Sequence, residues 1–430
     1  MTEPVLLHPD RLDLPDLAAY ERVGGGKGLE KALAMAPAEI VAEIERAALR
    51  GRGGSGFPTA VKWRMVLENP SPEKYLVCNA NEDEPGTFKD QALLLRAPHQ
   101  LLEGILIAAH AVGAKTAYLY INGRFRNEIA VMARALDEAR DAGTIGTREK
   151  PGRSGVEVRV VESPGLYIGG EETACLEVIE GKAPIPRQKP PFYPAAVGLF
   201  GKPTVVNNVE TLSNLPHILA RGADWYKTIG PVNNHGTRVF CLSGDVLRPG
   251  LYERPMGYPL RDLIEKDGGG IRGGGRLKAV FPGGPSLPLL PADKIDVRLD
   301  FDSMKEAGTG LGTGGMFIVG AETCLVDVVH GFVSFFEHGS CGQCPPCKLG
   351  TETLEQIVSR IESGKGSTED IDAALQVCRM IERKGICHLV TAAVQPVRSS
   401  ILHFREEYER HAAERGCPFK RAETPAGSRR

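Results

Sequence analysis

Cys341-Gly-Gln-Cys344-Pro-Pro-Cys347 constrains this chain more than any other stretch. Three thiols three residues apart can converge on one inorganic cubane, and the prolines discourage helix through the loop. A fourth ligand must come from elsewhere, so the fold has to carry a distant segment to this one. Cys378 lies on an apolar helical stripe and reads as core. Cys417 sits in the exposed-looking segment GCPF. Cys387 follows Gly385 at a helix break, where a loop can present its sulfur, and is the expected fourth ligand. The competing reading is zinc, but zinc motifs pair two C-x2-C halves or add histidines, and no second pair is present. Cys324, Cys341, Cys344, Cys347, Cys378, Cys387 and Cys417 all fall in the last quarter, and such crowding without a signal peptide points to metal rather than disulfides.

The chain has 430 residues and a formal charge of −2, from 52 Lys+Arg against 54 Asp+Glu, with no basic block. Binding a phosphate backbone needs clustered cations, so nucleic acid is not an expected partner. No apolar run is long enough to span a bilayer; the richest, Leu101–Gly113, is broken by Glu103 and His110. The start, MTEPVLLHPDRLDLPDL, is acidic and lacks a signal-peptide pattern, which makes a cytoplasmic location the expectation. Length alone predicts two to four domains.

Residues 1–50 read as a helical arm, with Leu29, Leu33, Ile40, Ile44 and Leu49 at loosely helical spacing. From 51 to 237 strand-like and helix-like runs alternate: strands 74–79, 115–121 and 156–163, helices near 98–112 and 126–141. That order predicts βαβ units and a parallel sheet. Over 238–320, RVFCLSG, GLYERP, LKAVFPGG and GMFIVG are short strands among Gly and Pro, and only Pro259–Lys266 looks helical. Beyond 321, apolar stripes on Leu325–Phe336, Leu354–Ile361 and Ile371–Ile381 predict a helical bundle, and ETPAGSRR a frayed tail.

Gly51-Arg52-Gly53-Gly54-Ser55-Gly56 satisfies G-x-G-x-x-G, yet it follows an apparent helix, IVAEIERAALR, whereas a dinucleotide turn follows a strand. What survives is a backbone free to curl N–H groups round a phosphate or a flat ring. Two acidic loops come just past strand ends, where α/β sheets hold ligands: Asn79-Ala-Asn81-Glu82-Asp83-Glu84, and Gly165 to Glu172. Carboxylates are poor phosphate ligands but accept from sugar hydroxyls and carboxamides. The bland alternative for each loop is a solvated turn. Arg187-Gln-Lys189-Pro190-Pro191-Phe192 offers a cation and an aromatic to a nucleotide, or is an exposed linker.

As a set, GRGGSGFPTAVKW, CNANEDEPGTFKD, GLYIGGEETACLEVIEGK, PPFYPAAVGLFGKPTVVNNVETL and SCGQCPPCKLGT with GIC resemble the NADH-binding flavoprotein subunit of respiratory complex I (NADH-quinone oxidoreductase), in the same order over about residues 20–410. The resemblance implies a multidomain α/β chain with a Rossmann-like FMN domain, a ubiquitin-like β-grasp module of SLBB type and a helical bundle holding a 4Fe-4S cluster. These correspond to 51–237, 238–320 and 321–430 after the arm. It implies that FMN is held by Gly51, Arg52, Gly53, Gly54, Lys62, Asn79, Asn81, Glu82, Tyr167, Gly170, Asn207, Asn208 and Thr211. NADH is implied to contact Phe57, Glu84, Glu171, Glu172, Lys189 and Phe192, and the cluster to be bound by Cys341, Cys344, Cys347 and Cys387. The implied activity is hydride transfer from NADH to FMN, then single electrons through the cluster to partners and finally quinone, with no acid–base triad. The implied partners are a thioredoxin-like 2Fe-2S subunit and the large multi-cluster iron–sulfur subunit of the peripheral arm. The chain would then sit peripherally on the cytoplasmic face of the inner membrane, reaching it only through that complex.

Several positions depart from the family pattern. Position 81 is Asn in place of the usual Asp, and Gly169 stands for a usual Cys. His388-Leu-Val replaces Ala-Leu-Gly after the fourth ligand, and Met65 replaces an aromatic. One anion fewer at Asn81 and a chargeable His388 predict raised midpoint potentials for flavin and cluster. A rival host is an NAD-dependent formate dehydrogenase or hydrogenase with this chain as its diaphorase subunit. Many such relatives carry fused thioredoxin-like or ferredoxin-like segments; none is expected here, because only Cys78 precedes residue 150 and only Cys417 follows 387. The rival of a different class is a zinc-stabilised, non-enzymatic binding module. Cys78, Cys175, Cys241, Cys324 and Cys417 have no role that the sequence assigns.

Overall fold

Four short strands, β1 (Tyr75–Ala80), β2 (Thr116–Asn122), β3 (Glu157–Ser163) and β4 (Thr204–Asn208), build a parallel sheet in the order β3-β2-β1-β4. The chain is seen as a computed structural model that describes residues 3–146 and 154–419; the tail Glu423–Arg430, expected to fray, lies outside the described residues. Parallel neighbours need long crossovers. Helices Lys89–Arg96 and Pro98–Val112 make the first, and Arg126–Asp141 the second. Pro98 opens its helix where its missing N–H costs nothing, and Gly113 at φ +75° ends it. The sequence locates β1 to β3 within a residue; β4 escapes it because TVVNN is short and turns at once into helix Val209–Ser213.

Alternation along β1 sends Leu76, Cys78 and Ala80 into one core with helix Pro98–Val112, and Tyr75 and Val77 into another with Tyr118, Tyr120 and Leu176. The arm belongs to the first core: Val5, Leu6, Leu29, Ile40 and Ile44 are buried in it. The carboxylate of Glu253 accepts from the N–H groups of Val5, Leu6 and Leu7 at 2.7–3.0 Å, so the arm also ties the first sheet to the second.

The second sheet contains β5 (Thr237–Gly244), β6 (Gly250–Pro255), β8 (Leu277–Phe281), β9 (Leu290–Pro291) and β11 (Gly315–Gly320), ordered β6-β5-β11-β8-β9; β7 (Tyr258–Pro259) pairs separately with β10 (Arg298–Leu299). The helix expected over Pro259–Lys266 is a single turn, Leu260–Asp262, that widens into a π-helical turn over Leu263–Asp267, and helix Phe301–Glu306 was not anticipated. Helices Leu325–His338, Gly350–Glu362, Thr368–Ile381 and Leu389–Glu414 form the C-terminal bundle. Its core takes in Ala279, Phe281 and Val319, which seats the bundle on the second sheet. Among the described residues no single helix is long and apolar enough to cross a membrane.

The chain runs from β1 to β2 and β3 on one side, then returns to place β4 on the other. The crevice beyond the carboxyl ends of β1 and β4 is therefore a topological switch point, where open α/β sheets bind ligands.

Candidate functional site

A cavity of about 390 Å³ lies at that switch point, within the roughly 300–1,000 Å³ of small-molecule sites. The glycine-rich loop forms one wall. It follows helix Pro37–Arg46 through Ala48 at φ +51°, not a strand, and leads into helix Thr59–Leu67. The Gly51 N–H donates to Phe57 O at 2.9 Å and closes the loop. A Cβ on Gly53 would stand 2.9 Å from Cβ of Asn208, so no larger residue fits there without displacing that wall. Lys62 donates to Val206 O at 2.7 Å, and Trp63 Nε1 holds Asn207 Oδ1 at 2.8 Å, which fixes the amide at the end of β4.

The two acidic loops are stitched to each other. Asn79 Nδ2 donates to Gly170 O at 2.8 Å, and Asn81 Nδ2 to Leu166 O at 3.1 Å, while Asn81 Oδ1 accepts from Ser163. Most of the carboxylates are already engaged. Glu82 accepts from the N–H groups of Asp90 and Gln91 at 2.9 and 3.0 Å, holding the first turn of helix Lys89–Arg96. Burial and the neighbouring Asp90 push its carboxyl up. Glu171 caps helix Glu172–Ile179 through Thr173 N and Ala174 N. Glu84 reaches across to the second sheet and accepts from Ser286 N at 3.1 Å; burial raises it to about 7.

Of the residues expected at the site, Gly51, Gly53, Phe57, Lys62, Asn79, Asn81, Glu82, Glu84, Tyr167, Gly170, Glu171, Glu172, Asn207, Asn208 and Thr211 line this one cavity. Four do not. The Arg52 guanidinium is buried away from it, donating to Tyr226 OH, His235 O and Thr237 O at 3.1–3.2 Å, and the residue supports the loop through its N–H to Thr211 Oγ1. Gly54 lies beyond the lining. Lys189 is held by Glu171 and Glu172, at 2.8 and 2.9 Å, and is not part of the lining, and Phe192 is exposed. Arg187, the other cation of that run, is held by Glu177, Glu180 and Gly198 O. Sequence reasoning missed Lys89, Asp90 and Thr313, which also line the cavity, and His388, expected from its place after Cys387, lines it too. TFKD reads only as a helix start, and Thr313 arrives from another module.

Cys341, Cys344, Cys347 and Cys387 converge on a second, small pocket closed by Ile168, Pro186, Ile386 and Leu389. Pro345 and Pro346 open the short helix Pro345–Lys348, which turns Cys347 inward, and Ser340 Oγ lies 2.9 Å from its sulfur. Cys378 is buried in the bundle core, and Cys417 lies elsewhere, beside Cys324 and His411. Burial raises Cys387 to about 11 and Cys347 to about 12, so loading a thiolate-bound cluster releases protons. Helix Leu389–Glu414 begins two residues after Cys387, and Leu389 lines the pocket, so the positive end of the helix lies where an anionic cluster would be held. At His388, burial and then Arg383 lower the imidazole pKa, which works against the positive charge expected from sequence.

Both groups fit. Soft thiols in an apolar pocket suit iron–sulfur ligation. A glycine wall, a lysine, amides and two aromatic rings around the larger cavity suit a flat ring bearing a polar chain. Along the chain, residues 44–217 match the Nuo51 FMN-binding domain, 238–311 an SLBB domain and 327–411 the NADH-ubiquinone oxidoreductase-F iron-sulfur binding region. The second F-type chain of NADH-quinone oxidoreductase in Rhizobium meliloti (strain 1021) is 45% identical over 97% of this chain and 100% of its own length. The chain belongs to the family of F-type chains of NADH-quinone oxidoreductase. The F-type chain of Rickettsia typhi (strain ATCC VR-144 / Wilmington) is 46% identical over 86% of this chain and 88% of its own. Among solved structures, the NAD+-reducing [NiFe]-hydrogenase in the H2-reduced state matches with a TM-score of 0.80 and 37% identity over 88% of this chain, which spans 63% of that hydrogenase chain.

Proposed function

We propose that this chain takes hydride from NADH at the switch-point cavity and passes single electrons to the four-cysteine pocket. The observation that carries the reading is a shared wall. Cys387, Leu389 and Ile168 line both cavities, so one layer of side chains separates them. Bound FMN supplies the change from two-electron to one-electron transfer, and the 4Fe-4S cluster a one-electron relay. The chain supplies position and field. Gly51, Gly53, Lys62, Asn79, Asn81, Tyr167, Gly170, Asn207, Asn208 and Thr211 are assigned to FMN. Phe57, Glu84, Glu171 and Glu172 are assigned to NADH, with Glu82 and Arg52 as positioning residues. The assigned divisions are 51–237 for flavin and nucleotide, 238–320 for the β-grasp module and 321–430 for the cluster, with 1–50 as an arm packed on the first.

Electrons then leave to a thioredoxin-like 2Fe-2S subunit and a large multi-cluster subunit, in a peripheral arm on the cytoplasmic face of the membrane. Among the described residues the four-cysteine pocket provides for one cluster, which supports an external acceptor. Cys344→Ala is expected to stop electron exit to quinone while sparing NADH–ferricyanide activity; loss of flavin and of NADH oxidation together would overturn this division of roles. The hydrogenase match favours a second host, in which the chain is a diaphorase subunit. Co-purifying proteins decide between them: quinone-reducing membrane subunits in the first case, a hydrogenase or molybdenum dehydrogenase in the second.

A further inference from the structure

Away from both cavities, Cys324, His411 and Cys417 bring two sulfurs and an imidazole nitrogen within 4.8 Å of one another. Cys324 stands at the N-cap of helix Leu325–His338 and accepts from Asp327 N at 3.3 Å. His411 lies in the last turn of helix Leu389–Glu414 and is fully buried. Its Nδ1 donates to Glu407 O at 2.7 Å, which leaves Nε2 as the lone-pair nitrogen, 3.3 Å from the Cys324 sulfur. Metal-binding histidines commonly have their tautomer fixed in this way, by a backbone carbonyl that takes the proton of the other ring nitrogen. Arg415 at φ +51° then reverses the chain and returns Cys417 to the group. The nearby Glu407 carboxylate is taken by Lys278 at 2.8 Å and Leu325 N at 2.6 Å.

We propose that these three side chains form a second metal site, for a zinc-class divalent cation that favours thiolate and imidazole together. Two thiolates neutralise the divalent charge, which suits a site this buried, and their two protons pass to solvent. Cys417 is half-buried, so water reaches the fourth position. The site clasps the end of the last helix to the start of the first helix of the bundle and shares no ligand with the iron–sulfur pocket.

The test is metal analysis of the flavin- and cluster-loaded protein, purified under reductant and incubated with zinc sulfate. About one zinc per chain is expected, with X-ray absorption at the zinc edge showing two sulfurs at about 2.3 Å and nitrogen or oxygen at about 2.0 Å. In Cys417→Ser, zinc affinity measured by chelator competition should fall about tenfold or more, with iron per flavin unchanged. Cys324→Ser should behave alike, but Cys417, nearer the surface, keeps the test valid if that variant misfolds. The proposal is overturned if the wild-type protein takes up no zinc, if Cys417→Ser retains it, if zinc is lost only on substituting Cys344, or if peptide mapping finds Cys324 and Cys417 joined as a disulfide in its place.

Discussion

Lys89 offers the sharpest test of how the cavity is held together. Its side chain is 1% exposed, and its ammonium lies 2.7 Å from Asp90, 3.1 Å from Glu210 and 3.3 Å from Asn208 Oδ1. Burial opposes the charge, but Asp90, Glu210 and Glu82 outweigh it and hold the group protonated. Lys89→Met removes the cation and leaves two carboxylates buried without it, which costs about 3–5 kcal/mol. At about 2–4 °C per kcal/mol for a module of this size, the melting temperature should fall by roughly 6–20 °C. Trp63 and Trp225 are the only tryptophans, and both lie in the first module, so tryptophan fluorescence reads that module alone. Adding Glu210→Gln removes one stranded charge and keeps an oxygen for Val239 N, which Glu210 Oε1 now accepts at 2.9 Å; it should recover about half the loss. The reasoning fails if Lys89→Met stays within about 1 kcal/mol of the parent, or if the double variant is no more stable than the single.

Glu84, raised by burial to about 7 against an ordinary 4.5, is favoured neutral, so the stability it contributes is whole below about pH 4.5 and is lost as pH rises through 7. At 1.36 kcal/mol per unit that window spans about 3 kcal/mol; Glu84→Gln should flatten it in flavin-free protein, and an unchanged wild-type-to-variant gap between acid and alkaline pH would refute it. Phe57→Ala should raise the KM for NADH roughly tenfold, from a stacking contribution of about 1–3 kcal/mol, whereas Phe192→Ala should leave it nearly unchanged in steady-state assays. An equal rise in both would return Phe192 to the site. Asn81→Asp should lower the flavin midpoint potential by an amount on the order of tens of millivolts through one added anion, and a redox titration without any shift removes Asn81 from the tuning.

What could be read from the residues alone follows from how local each signal is. Strands β1 to β3 and the helices between them declare themselves through periodicity and length, and Cys387 through a glycine break beside a helix. That the Arg52 guanidinium turns away from the cavity is not legible locally, because its direction is set by Tyr226, His235 and Thr237, far along the chain. Lys89 and Asp90 matter only because β4 returns beside β1 and brings Asn208 and Glu210 to them. No pattern within TFKD carries that information.

The same distinction changes how the acidic loops are understood. Read as a string, Glu82-Asp83-Glu84 and Glu171-Glu172 are free anions facing a ligand or solvent. In the fold, Glu82 and Glu171 each satisfy the first N–H groups of a helix that starts at the cavity, and Lys189 bridges the second pair and offsets one of its two charges. Their charge is used to build the wall more than to face the ligand. Glu84 differs, because its carboxylate has moved towards neutrality through burial alone, at the seam where the second sheet closes over the first. A nucleotide entering that seam further desolvates Glu84, so its binding should favour the protonated carboxyl and couple NADH affinity to pH near 7. Isothermal titration in buffers of different ionisation enthalpy would read this as proton uptake on binding, absent in Glu84→Gln; uptake that persists in the variant would place the responsive group elsewhere.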